Sequence, residues 1–253
     1  MQLGLVTYNI AKDWDLPTII ERCPRLGFEG VELRTTHAHG VEDTLSSGQR
    51  ADVRRRFSDS AVELVGLGTI FEYHALDPAV VRENVEGTKR YAQLAADVGA
   101  SGIKVRPNGH QEEAGVPREQ TLEQIGDALR ECGPAAADCG IDIRLEMHGT
   151  VADARDIRRI MDTADHPSVR VCWNSNPVDV KDGSVARDFA LMRDLITLVH
   201  IHDLTDEGYP WAELFSLLRE RSYDGFCLAE IQESGDPERV LTYFRSLFHA
   251  YGG

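Results

Sequence analysis

One pattern limits this chain more than any other: short apolar segments and longer amphipathic ones alternate eight times along 253 residues. The short segments are "LGLVTYN", "GVELRT", "VELVGLGTI", "SGIKVRP", "IDIRLEMHG", "VRVCWNSN", "ITLVHIHD" and "GFCLAEI". Each is followed by a stretch with helical spacing or helix punctuation, such as "LPTIIERCPRLG", closed by a glycine. Strands separated by helices pair in parallel, because a parallel connection must cross over the sheet. The helices then cover the sheet. Eight such units in a chain of this length predict a closed (β/α)8 TIM barrel. An open doubly wound sheet is the rival, but no Gly-rich phosphate loop follows the first strand. No linker, low-complexity tract or charge block divides the chain, so residues 1–253 read as a single domain.

Several strands are not plain apolar runs. "VELR" alternates Glu32 and Arg34 against Val31 and Leu33, and "IKVR" alternates Lys104 and Arg106 against Ile103 and Val105. "IRLEMH" sets Arg144, Glu146 and His148 against Ile143, Leu145 and Met147. "LVHIH" sets His200 and His202 against Val199 and Ile201. Side chains two apart share a face. The face toward the helices must be apolar, so the polar set is expected inside the barrel, at the strand ends where such barrels keep their active sites. Charges buried there need partners: each other, water, a metal or a ligand.

Together the strand-end groups are Glu32, Lys104, Arg106, Glu146, His148, Asn174, His200, His202 and Glu230. Two carboxylates, an imidazole and an amide oxygen suit one divalent ion of the manganese, magnesium, cobalt or zinc type. The cationic Lys104, Arg106 and Arg34 suit a phosphate or carboxylate, and equally suit neutralising the acids around them. The segment "TIFEYHALDP" brings Phe71, Tyr73 and His74 after strand three, either to cover a sugar ring or to pack.

Charge narrows the partners. With 42 acidic and 27 basic residues the net charge is −15, which repels a phosphate backbone and argues against nucleic acid. No apolar run approaches the roughly 20 residues of a membrane span, and no secretory signal opens the chain, so a cytoplasmic protein is expected. The five cysteines lack C-x-x-C spacing and read as buried free thiols. Nothing in the sequence sets the oligomeric state, and a homo-oligomer stays open.

The motifs "EGVELR", "LEMHG", "VCWNSN", "VHIHDL" and "YDGFCLAEI", in this order, resemble the xylose isomerase-like TIM barrel superfamily of sugar phosphate isomerases and epimerases, which also includes endonuclease IV. The resemblance implies one divalent ion held by Glu, Asp, His and Glu on strands five to eight. Glu146, His200 and Glu230 match the first, third and fourth of these. Asn174 stands where the aspartate is expected, which removes one negative charge from the ligand set. The resemblance further implies an isomerase or epimerase acting on a small carbohydrate. In it Glu146 and Glu230 exchange a proton beside a carbonyl through an enediolate, and the ion polarises that carbonyl. Lys104, Arg106, His148 and His202 are the expected substrate contacts. A dehydratase of a keto-inositol or related polyol, and a non-catalytic sugar-binding barrel, are the alternatives. The endonuclease branch fits less well, because "NSNP" lacks its further histidine.

Overall fold

The computed structural model describes residues 1–253. Eight parallel strands close into one barrel in sequence order, β1 to β8. They are β1 (Gln2–Val6), β2 (Gly30–Arg34), β3 (Glu63–Glu72), β4 (Gly102–Arg106), β5 (Asp142–Glu146), β6 (Val169–Trp173), β7 (Ile196–Ile201) and β8 (Phe226–Ala229). Eight helices follow them in turn: α1 (Leu16–Leu26), α2 (Ser47–Ser58), α3 (Pro78–Val98), α4 (Arg118–Cys139), α5 (Ala154–Ala164), α6 (Ala186–Met192), α7 (Trp211–Glu220) and α8 (Pro237–Ala250). No helix is long and apolar enough to cross a membrane.

Local chemistry sets the helix ends. Asp15 caps α1 by accepting from the Thr18 amide, and Gly27 closes it at a positive φ of 82° that a side chain would resist. Ser46 and Gln49 form a reciprocal capping box on α2.

Strand parity builds two different interiors. Val31, Leu33, Ile103, Val105, Ile143, Leu145, Met147, Val199 and Ile201 are fully buried in the large core between barrel and helices. The opposite parity points into the barrel. There Val6, Val65, Cys172, Leu198, Phe226 and Leu228 make a small separate apolar plug. Above it the same rows turn polar: Leu198 leads to His200 and His202, Cys172 to Asn174, and Leu228 to Glu230. Glycines leave room for this set. A Cβ on Gly68 would lie 2.7 Å from Glu32 Oε1, and one on Gly102 would lie 2.7 Å from the Arg144 guanidinium carbon. Arg144 uses that space to donate to Val65 O and Ser101 Oγ, both at 2.9 Å, so it braces the barrel wall. All five cysteines are free, and all but Cys139 are buried.

Candidate active site

His200 sits at the centre of the polar layer and is fully buried. Its Nδ1 lies 3.3 Å from Glu146 Oε1 and 3.2 Å from Glu230 Oε2. Its Nε2 lies 3.5 Å from Glu32 Oε1, on the other side of the ring. None of these contacts meets hydrogen-bond geometry, and both ring nitrogens and both Glu32 oxygens lack partners. Polar atoms so deeply buried are rarely left unpaired. Burial works against a proton on His200, but the Cys172 thiol and the carboxylates Glu230 and Glu32 outweigh it and raise its pKa well above the usual imidazole value.

The donor set fits a divalent ion. Ligand atoms of Glu146, His200 and Glu230 all lie within 4.8 Å of one another. Ligands about 2.0–2.2 Å from a shared ion stand roughly 3.0–3.5 Å apart at octahedral to tetrahedral angles. The separations from His200 Nδ1 to both carboxylates fall in that window. Asn174, also buried, is linked to the same group: its Oδ1 is 3.0 Å from His202 Nε2, which is 3.4 Å from Glu230 Oε2. Ser175 holds this strand end by donating to His200 O at 2.8 Å and accepting from the His202 amide.

The cations expected to meet a ligand are spoken for inside the protein. The Lys104 ammonium donates to Glu146 Oε2 at 2.7 Å, which leaves Oε1 facing His200. Burial alone would push the Glu146 carboxyl up, but Lys104 and the contact from His200 bring it down to about 2. Glu230 is likewise held well below the usual carboxylate range, against burial, by His200, His202 and Lys104. The Arg106 guanidinium donates to Glu72 Oε1 at 2.5 Å. Asn108 Nδ2 donates to that carboxylate at 2.8 Å, and its Oδ1 accepts from His148 Nδ1 at 2.8 Å. A chain of polar contacts thus runs from Arg106 through Glu72 and Asn108 to His148. Glu72 was not anticipated, because the strand-three pattern reads as ending near Ile70. Extending the parity of Gly66 and Gly68 by two steps would have found it.

The aromatic residues after strand three do not cover the mouth. Tyr73 is fully buried with its hydroxyl 2.6 Å from Thr88 Oγ1, and Phe71 packs edge-on against Tyr91. Both belong to the α3 layer.

A cavity of about 680 Å³ opens above the cluster. His148, Asn174, His202 and Glu230 are among the residues that line it, and no lysine or arginine does. Residues 20–246 match the xylose isomerase-like TIM barrel family. The chain belongs to that family. Solved structures with the same fold include the 3-keto-D-glucoside 4-epimerase YcjR from E. coli, at TM-score 0.78 and 19% identity over 97% of this chain and 99% of that one. The D-psicose 3-epimerase of Clostridium cellulolyticum H10, crystallised with D-tagatose, superposes at TM-score 0.77 and 16% identity over 98% and 92% of the two chains. The IOLI protein with a bound zinc atom gives TM-score 0.80 and 17% identity over 99% and 98%. Among curated proteins, none matches this sequence. Within the family frame the barrel brings Glu146, His200 and Glu230 together as the resemblance implies, with Asn174 beside them.

Proposed function

We propose that the chain is a divalent-metal-dependent isomerase or epimerase of a neutral sugar. The observation that carries this reading is the convergence of Glu146 Oε1 and Glu230 Oε2 on one buried imidazole, at 3.3 and 3.2 Å, with Glu230 also lining the cavity. Membership of the family and the sugar epimerases among its structural relatives support it. Glu146, Asn174, His200 and Glu230 would hold the ion, of manganese, magnesium, cobalt or zinc type. When bound it would polarise a substrate carbonyl and steady negative charge on its oxygen.

The chain's own residues supply the rest. One of Glu146 and Glu230 takes the proton from the carbon beside the carbonyl, and the other returns one to the adjacent position or the opposite face. Lys104 holds Oε2 of Glu146 and so keeps Oε1 turned toward His200. His148, held by Asn108, and His202, held by Asn174, reach into the cavity as hydrogen-bond partners for sugar hydroxyls. Lys104 and Arg106 act from behind that layer, through Glu146 and Glu72. Because the lining carries Asp203, Glu230 and Glu233 but no cation, a neutral sugar fits better than a sugar phosphate or sugar acid.

The test is proton exchange in deuterated water. Protein loaded with Mn²⁺ and incubated with a panel of neutral keto-sugars should place deuterium beside the carbonyl. Glu146→Gln and Glu230→Gln should each slow that exchange at least about 100-fold with an unchanged circular dichroism spectrum. Loss of water from the sugar would transfer the reading to a dehydratase, and sugar binding without any exchange would reduce the barrel to a binding module.

A further inference from the structure

We propose that Glu32 is a positioning residue for the metal site: it accepts a hydrogen bond from His200 Nε2–H and so leaves the Nδ1 lone pair for the ion between Glu146 and Glu230. The proposal rests on the metal-dependent reading given above. It adds to that reading a residue on β2, outside the strands that carry the ligand set.

Glu32 is fully buried. A carboxylate taken out of water is costly unless it meets a cation or N–H donors. Neither of its oxygens has a hydrogen-bond partner. No lysine or arginine pairs with it, and its one contact with a basic group is His200 Nε2, 3.5 Å from Oε1. His200 shows the complementary deficit: it too is fully buried, and its Nε2 has no partner. An N–H···O hydrogen bond spans roughly 2.7–3.2 Å, so an approach of about 0.3 Å satisfies both groups at once. The cations nearby are already engaged. Lys104 donates to Glu146, and Arg144 donates to Val65 O and Ser101 Oγ. That division leaves Glu32 to the imidazole.

The backbone makes the space for this contact. Strand β3 sets Gly66 beside Glu32, with Gly68 two residues on. A Cβ on Gly68 would stand 2.7 Å from Glu32 Oε1, and one on Gly66 would stand 3.6 Å from Oε2. The first would push the carboxylate away from its place.

The consequence is chemical. A neutral imidazole carries its proton on one nitrogen only. With the proton on Nδ1, no lone pair would face Glu146 and Glu230. A carboxylate at Nε2 selects the other tautomer, fixes the ring and makes it a stronger donor to a cation. It also places a further negative charge close to a group of side chains in which Asn174 is neutral.

The experiment uses protein with ¹⁵N-labelled histidine, with and without Zn²⁺, and identifies His200 by the signals missing from His200→Gln. In the Zn²⁺-loaded protein Nε2 should carry a proton with a downfield resonance that exchanges slowly with water, and Nδ1 should show the shift of a metal-bound nitrogen. Glu32→Gln should move that proton upfield and weaken Zn²⁺ binding, measured by calorimetry, about 10–100-fold. Circular dichroism verifies that the variant is folded. Zn²⁺ on Nε2, a proton on Nδ1 of the loaded protein, or a Zn²⁺ affinity in Glu32→Gln within about twofold of the unaltered protein would overturn the proposal. The first two are read from the unaltered protein and need no variant. An unaltered protein that binds no Zn²⁺ would overturn the metal-dependent reading and the role of Glu32 with it. Deuterium incorporation is scored separately: Zn²⁺ held as described, with no exchange into any sugar, keeps Glu32 in its role and sinks the isomerase reading.

Discussion

Replacing Lys104 with methionine isolates the electrostatic balance of the barrel interior. Methionine keeps the length and much of the bulk of the side chain, so the loss is charge and not volume. In the intact protein the ammonium lies 2.7 Å from Glu146 Oε2, and the two side chains are 6% and 2% exposed. Removing one partner of a pair this deeply buried costs about 3–5 kcal/mol, because the other is left charged and dry. For a chain of this size each kcal/mol moves the melting temperature by about 2–4 °C, so a fall of about 6–20 °C is expected at pH 7 without added metal. The pH dependence has a definite sign. Burial would raise the Glu146 pKa, but Lys104 and His200 depress it from 4.5 to about 2. A depressed carboxylate stabilises the fold above its unfolded pKa, and that stability is lost as pH falls through the folded value. Without Lys104 the depression shrinks, so the gap between the two proteins is widest near pH 7 and closes as the pH approaches that of a neutral carboxyl. Mn²⁺ should then restore stability to the variant, about 2.7 kcal/mol at 100 times its Kd, by replacing the missing positive charge. Melting curves at pH 7 and pH 5, with chelator and with Mn²⁺, measure all three effects. A shift of less than about 2 °C at pH 7 in chelator would show that Glu146 does not depend on Lys104, and the account of the site would fail.

Two further substitutions probe the strand-six end. Asn174→Asp adds a third negative oxygen beside Glu230, and calorimetry should show divalent-ion affinity rising at least about 10-fold; unchanged or weaker affinity would remove residue 174 from the ligand set. Asp179 is fully buried with Oδ1 unpartnered and Oδ2 accepting from the Asn176 amide at 2.7 Å. Burial pushes its carboxyl up from 3.8 to about 7. A raised acid costs stability as pH climbs from its unfolded to its folded pKa, and the cost persists above that; here it is about 4 kcal/mol at most. Asp179→Asn should therefore raise the melting temperature at pH 8 and change it little at pH 4, and a lower value at pH 8 would refute the assignment.

The sequence determined the barrel and the direction of its polar rows. Both follow from local rules: strand and helix periods are read within a few residues, and a period of two assigns Glu32, Lys104, Glu146 and His200 to one face before any tertiary contact is known. The trio Glu146, His200 and Glu230 was picked out by the resemblance to the family, and the closed order of strands five to eight is what lets the three approach one another. Which inward groups pair was not legible. That Lys104 meets Glu146, that Arg106 meets Glu72, and that Asn108 props His148 depends on where one strand stands against the next and on how loops return. Those are distances between residues 34 to 42 positions apart, and no short window contains them. The same holds for Phe71 and Tyr73, whose apolar rings suit a sugar or a core equally until α3 is packed beside them. That Val240, Tyr243, Phe244 and Leu247 of α8 border the same cavity as Glu230 was hidden for a related reason: their stripe looks like any core-facing helix. Only the closed barrel shows that part of it faces the space above Glu230, because what a helix face meets is set by the whole fold and not by its own sequence.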